Sequence, residues 1–332
     1  MEKWENTNVN PPYFYRATLP SAWTGRVDGS QSNMLRWHQL VKILDISTDF
    51  SKEKRSGVAF MGFATDEGVR RNQGRIGAAD GPQGIRAACS TLPYWGTTEL
   101  WDTGDVLCPQ GKLEQAQQEL GAYVERLLHV GLFPILLGGG HEITYGHYRG
   151  IAAAYPDSQI GIINLDAHFD LRIPGTEGVN SGTGFYQVAQ DCQAQNKTFH
   201  YMALGIQRHA NIQTLFQEAD RLGVQYVLDR DIESLEAASI AKRIADFAAQ
   251  VDHLYLSVDL DVFSGAYAPG VSASSARGLV PGFIVDFIFD CIRKTGKLVS
   301  LDIAEYNPQL DIDQRTAKLA ASIIFDQVME RH

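Results

Sequence analysis

Short, almost wholly apolar runs recur along the chain. They stand at Gly57–Phe63, Phe133–Leu137, Ile160–Leu165, Tyr201–Ile206, Val224–Leu228, Leu254–Val258 and Leu298–Asp302. Unbroken apolarity over so few residues predicts strands buried on both faces, as in a parallel sheet. Between these runs the apolar spacing changes to threes and fours. Leu113, Ala116, Leu120, Val124 and Leu127 predict a helix within Lys112–His129, and Asp231–Val251, Gly282–Arg293 and Asp311–Arg331 read alike. Strand alternating with helix means βαβ units. The expected fold class is therefore α/β, a three-layer α/β/α sandwich around a mainly parallel central sheet. Residues 1–55 lack this alternation and read as a polar N-terminal arm with a short helical segment. No Pro/Ser linker interrupts 56–332, which reads as a single catalytic domain.

Composition narrows the function classes. The chain has 332 residues and a formal charge of −10, an acidic balance that speaks against nucleic acid as a partner. No apolar run is long enough to span a bilayer, so no membrane role is expected. The N-terminus has no charged-then-apolar leader pattern. Cys89, Cys108, Cys192 and Cys291 are far apart and form no Cys-x-x-Cys pair. That usage suits a reducing cytoplasm and excludes a zinc knuckle.

The residues that carry chemistry cluster just past strand ends, where open α/β sheets place their sites. Asp166-Ala-His168-Phe-Asp170 follows one apolar run, Asp259-Leu-Asp261 closes another, and Gly138-Gly-Gly-His141-Glu142 follows a third. If the first segment stays extended, period-two geometry sends Asp166, His168 and Asp170 to one side. Taken singly, each cluster has a bland alternative: a solvated strand end, a capping Asp, a packed His. Jointly they bring two imidazoles and four carboxylates to one end of a sheet, and unpaired groups there would cost several kcal/mol each to bury. Oxygen-rich ligation without sulfur favours a hard divalent ion such as Mn²⁺. Two ions of charge +2 balance four carboxylates, which points to a binuclear site able to generate a hydroxide near neutral pH. Glu305, past the last strand, suits a cationic substrate group. His147, His209 and His253 belong to no cluster, and His147 reads as structural.

Taken together, Gly-Gly-Gly-His141-Glu, Asp166-Ala-His168-Phe-Asp170, Ser-Val-Asp259-Leu-Asp261 and Ser-Leu-Asp-Ile-Ala-Glu305-Tyr-Asn-Pro resemble the ureohydrolase family of arginases, agmatinases and formimidoylglutamases. The resemblance implies one Mn²⁺ on His141, Asp166, Asp170 and Asp259, and a second on Asp166, His168, Asp259 and Asp261. It also implies that Glu305 faces the substrate's guanidinium or amidinium, and it allows for a homo-oligomer.

The segment after the metal triplet separates the subgroups. Arginases resembling this stretch carry Asn where Arg172 stands and a His close to the position of Ser181, and agmatinases carry a His where Ser181 stands. The run Asp66–Pro82, with Asp170-Leu-Arg172 and Ser181-Gly-Thr, resembles formimidoylglutamases most, although Gly184 stands where that subgroup would carry Pro. N-Formimidoyl-L-glutamate bears two carboxylates, and a guanidinium binds a carboxylate in bidentate fashion. Arg172 is expected to hold one of them. Arg208 or Arg75 is expected to hold the other, with Asn180 and Ser181 adding hydrogen bonds. Asp170 is expected to pass a proton from the nucleophile to the departing amine, and Asp170 and Glu305 are the catalytic candidates. The expected reaction gives glutamate and formamide, within histidine degradation. A guanidino hydrolase releasing urea from agmatine or a guanidino acid is the alternative enzyme reading. A metal-free binding protein on the same fold is the non-enzymatic one, disfavoured because all six ligand candidates and Glu305 are intact.

Overall fold

The apolar runs become the middle of a ten-stranded sheet. The computed structural model describes residues 14–47, 53–234 and 237–331. Its strands are β1 (Tyr15–Arg16), β2 (Lys42–Ile43), β3 (Val58–Ala64), β4 (Leu100–Leu107), β5 (Phe133–Gly138), β6 (Ile160–Leu165), β7 (His200–Ile206), β8 (Gln225–Leu228), β9 (His253–Asp259) and β10 (Leu298–Ala304). They lie in the order β1-β4-β3-β5-β10-β9-β6-β7-β8, with β2 also on β4. Among these described strands only the β1–β4 pair is antiparallel.

The helices are α1 (Glu67–Arg71), α2 (Gly81–Ser90), α3 (Leu113–His129), α4 (Ile143–Ala154), α5 (Gly184–Ala194), α6 (Gln213–Arg221), α7 (Asp229–Ser234), α8 (Ala237–Ala248), α9 (Phe283–Lys294) and α10 (Arg315–Met329). Successive strand residues feed opposite cores. Val58 and Phe60 join a cluster with α2, α8, α9 and α10, whereas Ala59, Met61 and Phe63 join one with α3, α4, α5 and α6. Both faces of the sheet are thus covered, which is the three-layer sandwich the alternation predicts.

Two helices differ from the pattern reading. The Asp231–Val251 stretch holds two helices, α7 and α8. The C-terminal helix starts at Arg315 because Asp311 caps it, with Oδ1 accepting from Thr316 N at 3.0 Å and Oδ2 from Ala317 N at 3.2 Å. Strand β4, with its acidic and glycine residues, has no counterpart in the apolar pattern. Its Asp102 and Asp105 are buried and neutralised by Arg86 of α2, at 2.7 and 2.6 Å. Residues 14–47 wrap this edge. Thr18 and the indole of Trp23 donate to Asp102, Arg16 pairs with Asp105, and Trp23 and Trp37 enter the core.

Strands β5, β10, β9 and β6 are consecutive neighbours and end level. Ile303 pairs with Leu137, Ala304 with Asp259, and Val258 with Leu165. The segments leaving all four open onto the same edge.

Candidate metal centre

Each ligand segment turns immediately after its strand. After β5, the chain passes so close to β3 that a Cβ on Gly139 would lie 1.9 Å from the Thr65 carbonyl oxygen, which requires glycine. This tight path delivers His141 before α4. After β6, the extended geometry expected for Asp166–Asp170 does not hold. The ladder stops at Leu165, Asp166 Oδ1 accepts from His168 N at 2.7 Å, and Asp170 has a left-handed backbone with φ +49°. The three side chains converge through a turn, which can bring groups closer than a pleat could. After β9, Asp259 caps a 3-10 turn, accepting from Asp261 N at 2.8 Å, so both carboxylates reach the same hollow. After β10, Glu305 is also left-handed, φ +67°, and its Oε1 accepts from His141 N at 2.9 Å. Left-handed non-glycine residues cost of order 1–3 kcal/mol, and strain of that kind gathers at functional sites.

All six predicted ligands meet. His141 Nδ1 lies 2.7 Å from Asp170 Oδ2 and 3.2 Å from both Asp166 Oδ2 and Asp259 Oδ2. His168 Nδ1 lies 3.0 Å from Asp261 Oδ2 and 3.5 Å from Asp166 Oδ1. His141, Asp166 and Asp170 form one group able to hold a cation, and Asp166, His168 and Asp261 form a second, so Asp166 is common to both. The electrostatics call for positive charge. Burial pushes Asp259 well above the ordinary carboxylate range, with Asp261 and Asp166 adding to it, and Asp170 rises for like reasons. Burial opposes charge on His141 and His168, yet the surrounding carboxylates carry both far above the usual imidazole range. Asp166 stays below its usual value despite burial, through its bonds to the two imidazoles. Asp261 Oδ1 is buried without a hydrogen-bond partner. An orphaned carboxylate oxygen beside three further carboxylates and two imidazoles is a donor set that fits divalent cations.

The cleft above holds about 320 Å³ and is lined by Asn72, Arg75, Arg172, Ser181, Ser272 and Glu305 as well as by ligands. Burial raises Glu305 to about 7, partly offset by the His141 N–H. Arg172 is packed around Gly182, where a Cβ would fall 2.9 Å from its Cδ and 3.4 Å from Asn72 Nδ2. Asn72 Nδ2 donates to Ser181 Oγ at 3.1 Å. The Arg172 guanidinium has no hydrogen bond or ion pair to any described residue. Arg75 differs: Nε and Nη2 donate to the carbonyls of Ser272 and Val271, both at 2.8 Å. Asn180 serves its own turn, accepting from Gly182 N at 3.0 Å. Arg208 is not brought to this cleft. It is exposed and lines an adjoining hollow with Gln213, Phe216 and Tyr226. Gly184 abuts Thr144, whose hydroxyl bonds the His141 carbonyl. Sequence reasoning passed over Asn72 and Ser257. Asn72 is exposed and carries no pattern signal. Ser257 shares a strand face with Asp259 by period two, a signal that could have singled it out.

A mainly parallel sheet with a donor set able to hold cations at its carboxyl edge defines an α/β/α sandwich with a candidate metal centre where open α/β sheets place their sites. The chain belongs to the arginase family, whose sequence model matches residues 56–329. Within the family its resemblance is to formimidoylglutamases. It is 45% identical to the formimidoylglutamase of Chromobacterium violaceum over 93% of this chain and 97% of that one. It is 44% identical to that of Aeromonas salmonicida, over 92% and 96%. Among solved structures, a Trypanosoma cruzi formiminoglutamase with Mn²⁺ is 26% identical, with a TM-score of 0.73 over 82% of this chain and 93% of that one. A Bacillus subtilis formimidoylglutamase shares the fold, with 21% identity and a TM-score of 0.76 over 93% and 96%. No helix among the described residues is long and apolar enough to cross a membrane.

Proposed function

We propose that this enzyme hydrolyses N-formimidoyl-L-glutamate to L-glutamate and formamide, with two Mn²⁺ per subunit, and that it acts in histidine degradation. The observation that carries the substrate is the Arg172 guanidinium, unpartnered in the wall of a cleft that is otherwise rich in carboxylate. A substrate with an amidine head and an acidic tail satisfies both ends of that cleft. His141, Asp166, Asp170 and Asp259 would hold one ion, and His168, Asp166, Asp259 and Asp261 the other. Such a pair supplies a hydroxide-strength nucleophile near neutral pH.

The chain's own residues then orient and relay. Glu305 keeps Oε1 on the His141 N–H and turns its other oxygen to the amidinium, which positions the formimidoyl carbon over the ligand cluster. Arg172 takes one carboxylate with a hydroxyl hydrogen bond from Ser181, whose oxygen already accepts from Asn72. Arg75 adds the second positive charge while its Nε and Nη2 keep their carbonyl partners. Water oxygen bonds to the formimidoyl carbon, and the bond from that carbon to the glutamate nitrogen breaks. A proton released by that water passes by way of an Asp170 oxygen, which lies within the cluster, to the leaving nitrogen.

The test is product release from formimidoylglutamate, agmatine and arginine, with Mn²⁺ present. Formamide from the first substrate alone is expected. Urea from either of the others, with no formamide, would replace this reading with a guanidino hydrolase.

A further inference from the structure

Behind His141, away from the cleft, a chain of polar groups runs into the sheet. His141 Nε2 lies 2.9 Å from Ser257 Oγ, and Ser257 Oγ donates to Asp302 Oδ1 at 2.7 Å. Asp302 Oδ2 receives Tyr255 OH and lies 2.7 Å from His147 Nδ1. His147 Nε2 lies 2.6 Å from Ser300 Oγ, which donates to the Pro134 carbonyl at 2.8 Å. His147, Tyr255, Ser257, Ser300 and Asp302 are all wholly buried. The sheet register builds this arrangement. Ser257 of β9 pairs with Asp302 of β10, and Tyr255 with Ser300, so period two sends all four to one face. Helix α4 starts two residues after His141 and lays His147 across them.

Hydrogen-bond directions follow from counting hydrogens. A serine hydroxyl has one. Ser257 gives its hydrogen to the Asp302 carboxylate, so its oxygen can only accept from His141, and His141 must carry its hydrogen on Nε2. Its other nitrogen, Nδ1, faces Asp166, Asp170 and Asp259, and it is the Nδ1 lone pair that would face an ion bound among them. His147 donates from Nδ1 to the Asp302 carboxylate, and its Nε2 meets Ser300 Oγ. Asp302 therefore receives three donors and gives none, which fixes the direction of the whole chain.

We infer that His147 and Asp302, which touch neither cleft nor ligand cluster, are positioning residues that hold His141 as the Nε2–H tautomer with Nδ1 free for a metal ion. This inference rests on the two-ion reading above. Replacing Asp302 by Asn puts an amide N–H₂ against either Ser257 or the His147–Tyr255 pair, where only an acceptor fits. In the first orientation Ser257 is released to donate to His141 Nε2, and the imidazole hydrogen moves to Nδ1, where it blocks the ion; in the second the clash falls on His147 and Tyr255 and displaces the carboxamide from Ser257. The ion that depends on His141 should be lost, and the one on His168 and Asp261 kept.

The test is titration of metal-stripped protein with Mn²⁺, read by electron paramagnetic resonance and calorimetry. Wild type, Asp302→Asn, His147→Gln and Ser257→Ala are compared, with circular dichroism as a check on folding. Two ions are expected in wild type. In each variant one ion is expected to weaken 10–100-fold, with loss of the coupled Mn–Mn signal and the second affinity unchanged. Ser257→Thr, which keeps a hydroxyl, should restore the pair. Should the polar core collapse in the first two variants, Ser257→Ala decides alone, since it removes one oxygen. Folded variants that bind both ions as wild type does would overturn the positioning role, as would equal weakening of both ions. Failure of wild type to bind two ions would instead remove the binuclear reading, and this inference with it.

Discussion

Arg172 and Cys108 illustrate how a side chain's surroundings set its chemistry. Arg172 is held against Gly182 with its donors unspent, so it is ready for an anion. Arg172→Ala should raise KM for formimidoylglutamate about 10–100-fold, with a smaller change in kcat, on the scale of a charge-assisted bidentate contact worth roughly 1.5–3 kcal/mol. Steady-state kinetics checks this, and an unchanged KM would take Arg172 out of substrate binding. Cys108 shows the reverse case. Burial pushes its thiol up to about 11, and Cys89, Cys192 and Cys291 are raised as well. The thiolate is the disfavoured form in the fold, so the sign is that of a raised acid. The stability associated with the protonated thiol is intact below the ordinary thiol pKa and is lost as pH rises toward 11. Native protein should therefore react slowly with a thiol reagent at pH 8, accelerating as the pH is raised. Unfolded protein at pH 8 should titrate all four thiols quickly; rapid native labelling at Cys108 would contradict the burial.

At the scale of elements, β4 and the residues around it depend on a buried charge cluster. Arg86 satisfies Asp102 and Asp105, while Thr18, Trp23 and Arg16 reach the same carboxylates from the N-terminal wrap. Arg86→Met leaves two carboxylates buried without their cation. A loss of about 3–5 kcal/mol is expected in urea unfolding, since the uncompensated charge costs more than the ion pair contributes. This cluster also explains why β4 escapes a reading by hydropathy. Leu-Trp-Asp-Thr-Gly-Asp-Val-Leu has no unbroken apolar run, and its two carboxylates find their cation only in Arg86, 16 and 19 residues upstream. The core strands needed no partner to be recognised, because burial on both faces requires their side chains to be apolar.

The whole molecule is poised between repulsion and cation binding at one edge of its sheet. Four carboxylates and two imidazoles meet where β5, β10, β9 and β6 end level. Removing metal should lower Tm, and restoring Mn²⁺ at about a hundred times its Kd should return roughly 2.7 kcal/mol, as linkage requires. Thermal unfolding with chelator and with added Mn²⁺ checks this; an unmoved Tm would contradict a native-state ion site. Asp259→Asn should abolish turnover and lower the Mn²⁺ content, because Asp259 lies beside both groups of ligands. Metal analysis after dialysis, alongside formamide release, measures both effects.

What the chain declares unaided is its layering and its candidate ligands. Periodicity is a local property, so strands, helices and their alternation can be read without knowing what touches what. The candidate ligands are legible for the same reason: His141, Asp166, His168, Asp170, Asp259 and Asp261 stand at strand ends where nothing local requires charge. What only the tertiary structure decides is contact between distant segments. It turns Asp170 and Glu305 into left-handed residues, ties Arg75 to Val271 and Ser272, leaves Arg208 outside the cleft, and puts His147 behind His141. Those outcomes depend on register and close packing across the sheet, and hydrogen-bond partners hundreds of residues away leave no trace in the spacing of a single segment.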